Sequence, residues 1–167
     1  MATTSIPTDS LYLGQSYAGG KIFYLDATKE HGFVCTANSI GTFPWGCQGT
    51  SIATSAEIGT GEMNTAAIIA FCTETNTAAY ACDTLTLNGY SDWYLPSINE
   101  LKLVYNNIGK FGFVPNLMYW SSTECSTTNA KTSYYNSESC GGSYSCGWST
   151  CYYGKATNYN VLAIRRF

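Results

Sequence analysis

The sequence predicts an α+β fold, in which two helices pack on small antiparallel sheets and long loops crowd the C-terminal part. Three observations point there: β-rich runs open the chain, two central segments carry helix signals, and the last third alternates short strands with polar loops. The 167 residues suit a single domain, read as 14–167 behind a polar lead-in at 1–13.

The elements follow in order. GGKIFYLD (19–26) and HGFVCTA (31–37) flank ATKE and read as a hairpin. Gly59 and Gly61 give a flexible start to a first helix near 62–72, where Thr60 is placed to cap and residues 66–71 are apolar and tightly packing. The second helix is better marked. In PSINELKLVYNNIGKFG, Ser97 and Glu100 have capping-box spacing, Leu101, Val104, Tyr105 and Ile108 share a face, and Gly109 is a stop. An apolar strand at 161–164 closes the chain and is expected to pair with the opening hairpin.

Charged residues are only 11% of the chain and the net charge is -3, so neither nucleic acid nor an anionic membrane is an expected partner. No apolar run reaches spanning length, and MATTSIPTDSLYLGQ lacks the basic start and apolar core of a signal peptide. Membrane insertion is therefore not expected, and no address is visible. Tyr, Ser, Thr, Asn and Gly are abundant, a vocabulary of uncharged recognition surfaces.

Catalytic chemistry finds little footing. His31, the one imidazole, reads as a turn residue, and Gly59 to Gly61 as a helix start rather than an anion seat. Trp93, Tyr94 and Leu95 are expected in the core behind a turn at Asp92. Past Glu100 only Glu124 and Glu138 remain as carboxylate side chains, too few to place a glycosidase pair. Arg165 or Arg166, beside the last strand, is expected to pair with Asp92 or Glu124 rather than to bind an anion. No catalytic residue, cofactor or metal ligand is assigned. The eight cysteines contain no C-x-x-C, and a single His cannot complete a zinc site. A Cys72–Cys82 disulfide and two reduced buried thiols both remain open.

The stretch SYYNSESCGGSYSCGWSTCYYG (133–154) has no Leu, Ile, Val or Met, but holds three Cys, five Tyr and one Trp. A packed core cannot enclose such a composition cheaply. GGKIFYLD, HGFV, WGCQGT, IGTGEMNT, the AAYAC cysteine region, GYSDWYLPSINEL, YWSSTE and AIRRF together resemble the DUF1566 (Lcl C-terminal-like) domain family. The resemblance implies a C-type lectin-like fold. It also implies kinship with variable proteins of diversity-generating retroelements, in which adenine-directed mutagenesis rewrites codons near the C-terminus.

Under that resemblance the variable region is about 119–167. From 125 to 160, Ser, Tyr, Thr, Cys, Gly and Asn make up 30 of 36 residues, all reachable from asparagine codons. Lys131, Glu138, Trp148 and Lys155 are not reachable and read as fixed positions or as products of other codons. The expected ligand-contacting residues begin with Cys125, Thr127, Thr128, Ser133, Tyr135 and Cys140. They continue through Ser143, Tyr144, Ser145, Cys146 and Trp148 to Thr150, Cys151, Tyr152, Tyr153 and Tyr159. Tyr134, Tyr135, Tyr144, Trp148, Tyr152 and Tyr153 are the candidate aromatic anchors, while Trp120 packs inside. The late cysteines then need no partners.

No E-P-N, Q-P-D or W-N-D tripeptide is present, so calcium-mediated sugar binding is not implied. The expected function is non-catalytic binding of a protein or glycan target, on a virion tail fibre or a cell surface, with a homotrimeric fibre as one setting. The competing expectation is an unvaried adhesive or structural domain stapled by disulfides.

Overall fold

A computed structural model describes residues 11–108, 117–134 and 148–167. The opening β-rich runs form β1 (Ser16–Tyr17), β2 (Gly20–Leu25) and β3 (Gly32–Cys35), followed by β4 (Gly41–Phe43). Three helices come next: α1 (Gly61–Phe71), α2 (Ala78–Asp83) and α3 (Ile98–Ile108). The last third supplies β5 (Met118–Glu124), β6 (Asn129–Tyr134), β7 (Trp148–Gly154), β8 (Tyr159–Val161) and β9 (Ile164–Arg166). The chain is α+β, with a four-stranded sheet in the order β1-β2-β3-β9 and a five-stranded one in the order β4-β8-β5-β6-β7.

Strand alternation explains why consecutive residues, Ile22 and Phe23 in β2 and all four of β3, are buried together. Ile22 pairs with Val34, and both enter one apolar cluster, while Phe23, Phe33 and Cys35 enter another. The sheet is thus covered on both faces. α3 contributes Leu101, Val104 and Tyr105 to the second cluster. Ile68 of α1 and Ala78, Ala79 and Cys82 of α2 belong to the first, with Trp45, Trp93 and Trp120.

The closing apolar run does reach the opening hairpin, but in two pieces. β8 lies between β4 and β5 in the second sheet, whereas β9 pairs with β3, Val34 opposite Arg165. Leu162 and Ala163, both buried, carry the chain between the sheets. Among the described residues every strand pairing is antiparallel except β5 with β8.

α2 is an addition to the expected pair of helices. Its start is local, since the Thr77 hydroxyl accepts the Tyr80 N–H at 3.3 Å. The capping box of α3 is formed in both directions: Ser97 N–H donates to Glu100 Oε2 at 2.7 Å and Glu100 N–H to Ser97 Oγ at 3.2 Å. The Gly109 stop lies outside the described residues.

The cysteine pairing differs from both open readings of Cys72 and Cys82. Cys72, at the C-terminal cap of α1, is bonded to Cys47, while α2 turns Cys82 into the core as a free thiol. Cys125 and Cys151 are also bonded, which corrects the reading of these two as partnerless. Sequence spacing could not reveal either pair, because the partners lie on separate elements brought together by topology.

Candidate functional site

β6 and β7 form the hairpin that carries the proposed recognition stretch. Tyr134 is paired with Trp148, so residues 135–147 join the two strands beyond their last pair. Among the described residues β7 is an edge strand of its sheet. Its register with β6 shifts between Ala130 and Thr132, placing Cys151 and Tyr152 at the irregularity. The Cys125–Cys151 disulfide fastens this point to the end of β5.

The expected contact residues fall into separate environments. Thr127 and Thr128 are exposed in the turn from β5 to β6, with Cys125 half-buried beside them and Cys151 exposed on β7. Ser133 is fully buried. Tyr153 and Tyr159 are half-buried against the core, their rings 5.2 Å apart edge to face, and Tyr159 meets Trp120 at 5.0 Å in the same manner. Trp120 is inside, as expected. For Trp148, Thr150 and Tyr152 the backbone alone is described, within β7. Tyr135, Cys140, Ser143, Tyr144, Ser145 and Cys146 lie outside the described residues.

A buried ion pair fixes the far end of β7. Lys155, with no exposed surface, donates to Glu124 Oε1 at 2.5 Å and to the Thr50 carbonyl at 2.8 Å, and its ammonium lies 4.6 Å from the centre of the Trp45 ring. Glu124 in turn accepts the Ile52 N–H at 2.9 Å. Backbone bonds close the arrangement: Trp45 N–H to the Lys155 carbonyl at 2.8 Å, Lys155 N–H to Thr128 at 2.9 Å, and Gly49 N–H to Thr127 at 2.8 Å.

The 48–51 loop therefore shares a face with Thr127 and Thr128. Gln48, Gly49, Thr50 and Ser51 are exposed there, although they lie far from the variable region in the chain. Sequence reasoning missed this segment, because its placement depends on Lys155. The signal was indirect: Lys155 stood out as a residue no asparagine codon yields. Beside this face opens a cavity of about 320 Å³, reached by Gln48, Glu74 and Asn76.

Cavities also open elsewhere among the described residues. One of about 680 Å³ runs between β1, the 36–40 segment and Leu85 to Asn88, and one of about 390 Å³ adjoins His31 and Phe167. His31 is exposed in the β2–β3 turn, where its carbonyl accepts the Asp26 N–H at 3.0 Å.

Charges away from this face serve the scaffold. Arg165 grips Asp92 with two bonds, at 2.6 and 2.8 Å, donates to the Ala18 carbonyl at 2.9 Å and lies over the Tyr90 ring. Arg165 thus takes Asp92, and Glu124 takes Lys155. The guanidinium bond holds the Asp92 carboxyl below its ordinary value. Glu100 is buried at the junction of α1 and α3, and burial raises its carboxyl despite bonds from Ser97 and Gly59. Burial also pushes the Cys35 thiol up to about 12, which keeps it protonated and unreactive.

Among the described residues no group of three or more His, Cys, Asp or Glu is placed to hold a metal ion, and no helix is long and apolar enough to cross a membrane. No family model matches the chain, and a search of curated proteins finds no match. Among solved structures, a fimbrial protein from Bacteroides ovatus is similar in fold, with a TM-score of 0.55 and 16% sequence identity. The likeness covers 80% of this chain and 35% of the fimbrial protein, so the chain spans about a third of that protein's length.

Proposed function

We propose that the chain is a non-catalytic target-recognition domain of a cell or virion surface, in which a C-type lectin-like scaffold presents the stretch around β7 to a protein or glycan. The observation that carries this reading is the β6–β7 hairpin. It is bonded at Cys125–Cys151, anchored by Lys155, and joined by residues 135–147, drawn from Tyr, Ser, Asn, Gly and Cys with a single Glu. Tyr supplies contact area at low entropy cost, and Ser, Gly and Asn adapt by hydrogen bonding. The fold shared with a fimbrial protein supports a surface role. Repetition in a homotrimeric fibre would add avidity to a modest single-site affinity.

In its finer form, the recognition stretch is rewritten by adenine-directed mutagenesis. The division of labour around Lys155 supports this, since a residue outside the asparagine-codon repertoire is also the buried anchor. A second reading, an unvaried disulfide-stapled adhesive domain, draws support from the Cys125–Cys151 bond, because a matched pair is a fixed feature. Deep sequencing of the coding region across a growing population separates the two. Substitutions confined to adenines of codons in 125–160, copied from a nearby template repeat beside a reverse transcriptase, are expected for diversification. A uniform stretch with no such repeat overturns it in favour of the fixed adhesive domain.

A further inference from the structure

The cavity beside the end of β7 has a floor and a rim of different chemistry. Gly46, Thr77 and Lys155 line it from buried positions, whereas Gln48, Glu74 and Asn76 line it from exposed ones. Gly46 keeps the floor open. Its φ is +88°, and a Cβ there would lie 2.5 Å from the Thr77 methyl. The Lys155 ammonium is occupied by Glu124 and by the Thr50 carbonyl, so its charge is already matched.

Glu74 is differently placed. Its Oε2 accepts the Cys47 N–H at 2.7 Å, while Oε1 has no protein donor among the described residues. The side-chain amides of Gln48 and Asn76 likewise have no hydrogen bond to the described residues and offer two further acceptors. The lining therefore presents one unmatched negative charge and carbonyl oxygens at the mouth, with carbon atoms of Pro44, Thr77 and Ala156 alongside. At about 320 Å³ it is a small pocket.

That combination suits an aliphatic stem ending in a cation. A guanidinium pairs with a carboxylate in a fixed planar geometry, its stem covers apolar surface, and arginine is enriched among the residues that fill pockets at interface centres. We propose that this cavity receives an arginine side chain of a protein target that docks against the β7 face. The assignment rests on reading the chain as a recognition domain, and it adds a subsite built from residues outside the variable region. Glu74 supplies the charge, Gln48 and Asn76 the remaining acceptors, and the glycine at 46 the room.

The test is an amide-resolved NMR titration of the disulfide-intact chain with N-acetyl-L-arginine methylamide, using the citrulline analogue as an uncharged isostere and methyl α-glucoside as a sugar probe. The arginine compound is expected to shift the Gly46, Gln48, Asn76 and Thr77 amides saturably at tens of millimolar. The citrulline analogue should respond about tenfold more weakly, as loss of the charged pair implies. Glu74→Gln, which keeps an oxygen for the Cys47 N–H, should weaken the arginine response by about the same factor while leaving the rest of the spectrum in place. Equal shifts with citrulline or the glucoside, or none at these four amides with arginine, overturn the proposal. These arms bear on the arginine subsite alone, while sequencing of the codons for 125–160 bears on the broader reading, so each can fail without the other.

Discussion

Lys155 and Ser133 show how differently single buried polar residues bear on this fold. Lys155 is paired, hydrogen-bonded and set against Trp45, so Lys155→Met strands the Glu124 carboxylate with little water to replace the lost ammonium. Breaking one side of such a pair costs about 3 kcal/mol, and urea unfolding should show a lower midpoint with an unchanged slope. Adding Glu124→Gln should recover part of that loss, because the stranded charge disappears. Thr132 and Ser133 lie in the opposite condition. Both are fully buried, and neither hydroxyl has a hydrogen-bond partner among the described residues. An unmet buried hydroxyl carries its desolvation cost without return, so Thr132→Val and Ser133→Ala should leave stability unchanged or raise it by up to about 1 kcal/mol. A loss above that in the same unfolding assay would mean that the hydroxyls have partners.

At the level of elements, the junction of α1 and α3 turns on one carboxyl. Glu100 caps α3 through Ser97 and also accepts the Gly59 N–H at 2.8 Å, just before α1. Gly61 allows the approach, since a Cβ there would lie 2.9 Å from both the Leu95 carbonyl and the Ser97 nitrogen; Gly61→Ala should cost about 1–3 kcal/mol in thermal or urea unfolding. The pH dependence follows from burial. Because the folded state raises the Glu100 carboxyl, it holds the proton more tightly than the unfolded chain, and this contribution to stability falls as pH rises above 4.5 through the raised value. Asp92 acts with the opposite sign: its stabilisation is present above 3.8 and is lost as pH falls through its lowered value. Glu100→Gln should remove the first slope and Asp92→Asn the second in stability measured against pH. These elements were also unequally legible. α3 could be read because Ser97, Glu100 and its apolar face are local, and charge scarcity narrowed the partner of a C-terminal arginine to Asp92 or Glu124 without choosing between them. α2 escaped because six residues give no periodicity, and the final strand was read as one piece because nothing between Val161 and Ile164 marks the change of sheet. The 48–51 side of the candidate site was illegible for a similar reason: a lysine more than a hundred residues away places it.

Across the whole molecule, the two disulfides hold regions of different standing. Cys47–Cys72 ties the turn after Trp45 to the end of α1, with Cys47 buried in the first cluster, whereas Cys125–Cys151 ties the end of β5 to an edge strand and leaves Cys151 exposed. Their sequence separations, 25 and 26, are nearly equal, so the chain-entropy model gives each about 3.5 kcal/mol. Equal entropy does not imply equal consequence. The central strands β2 and β3 are covered on both faces, while β7 has a ladder on one side and, among the described residues, no strand beyond it. Loss of the second bond therefore loosens the edge before it endangers the core. In Cys125→Ala/Cys151→Ala, hydrogen exchange should show β7 amides losing protection while those of β2 and β3 open only with global unfolding. In Cys47→Ala/Cys72→Ala, protection should fall at α1 and in the 45–52 segment, and reach β7 only through Lys155. Mild reductant should open the exposed bond first, leaving a folded protein in which β7 alone has become mobile. Simultaneous loss of protection in β2, β3 and β7 on opening Cys125–Cys151 would show instead that the edge strand and the core unfold as one unit.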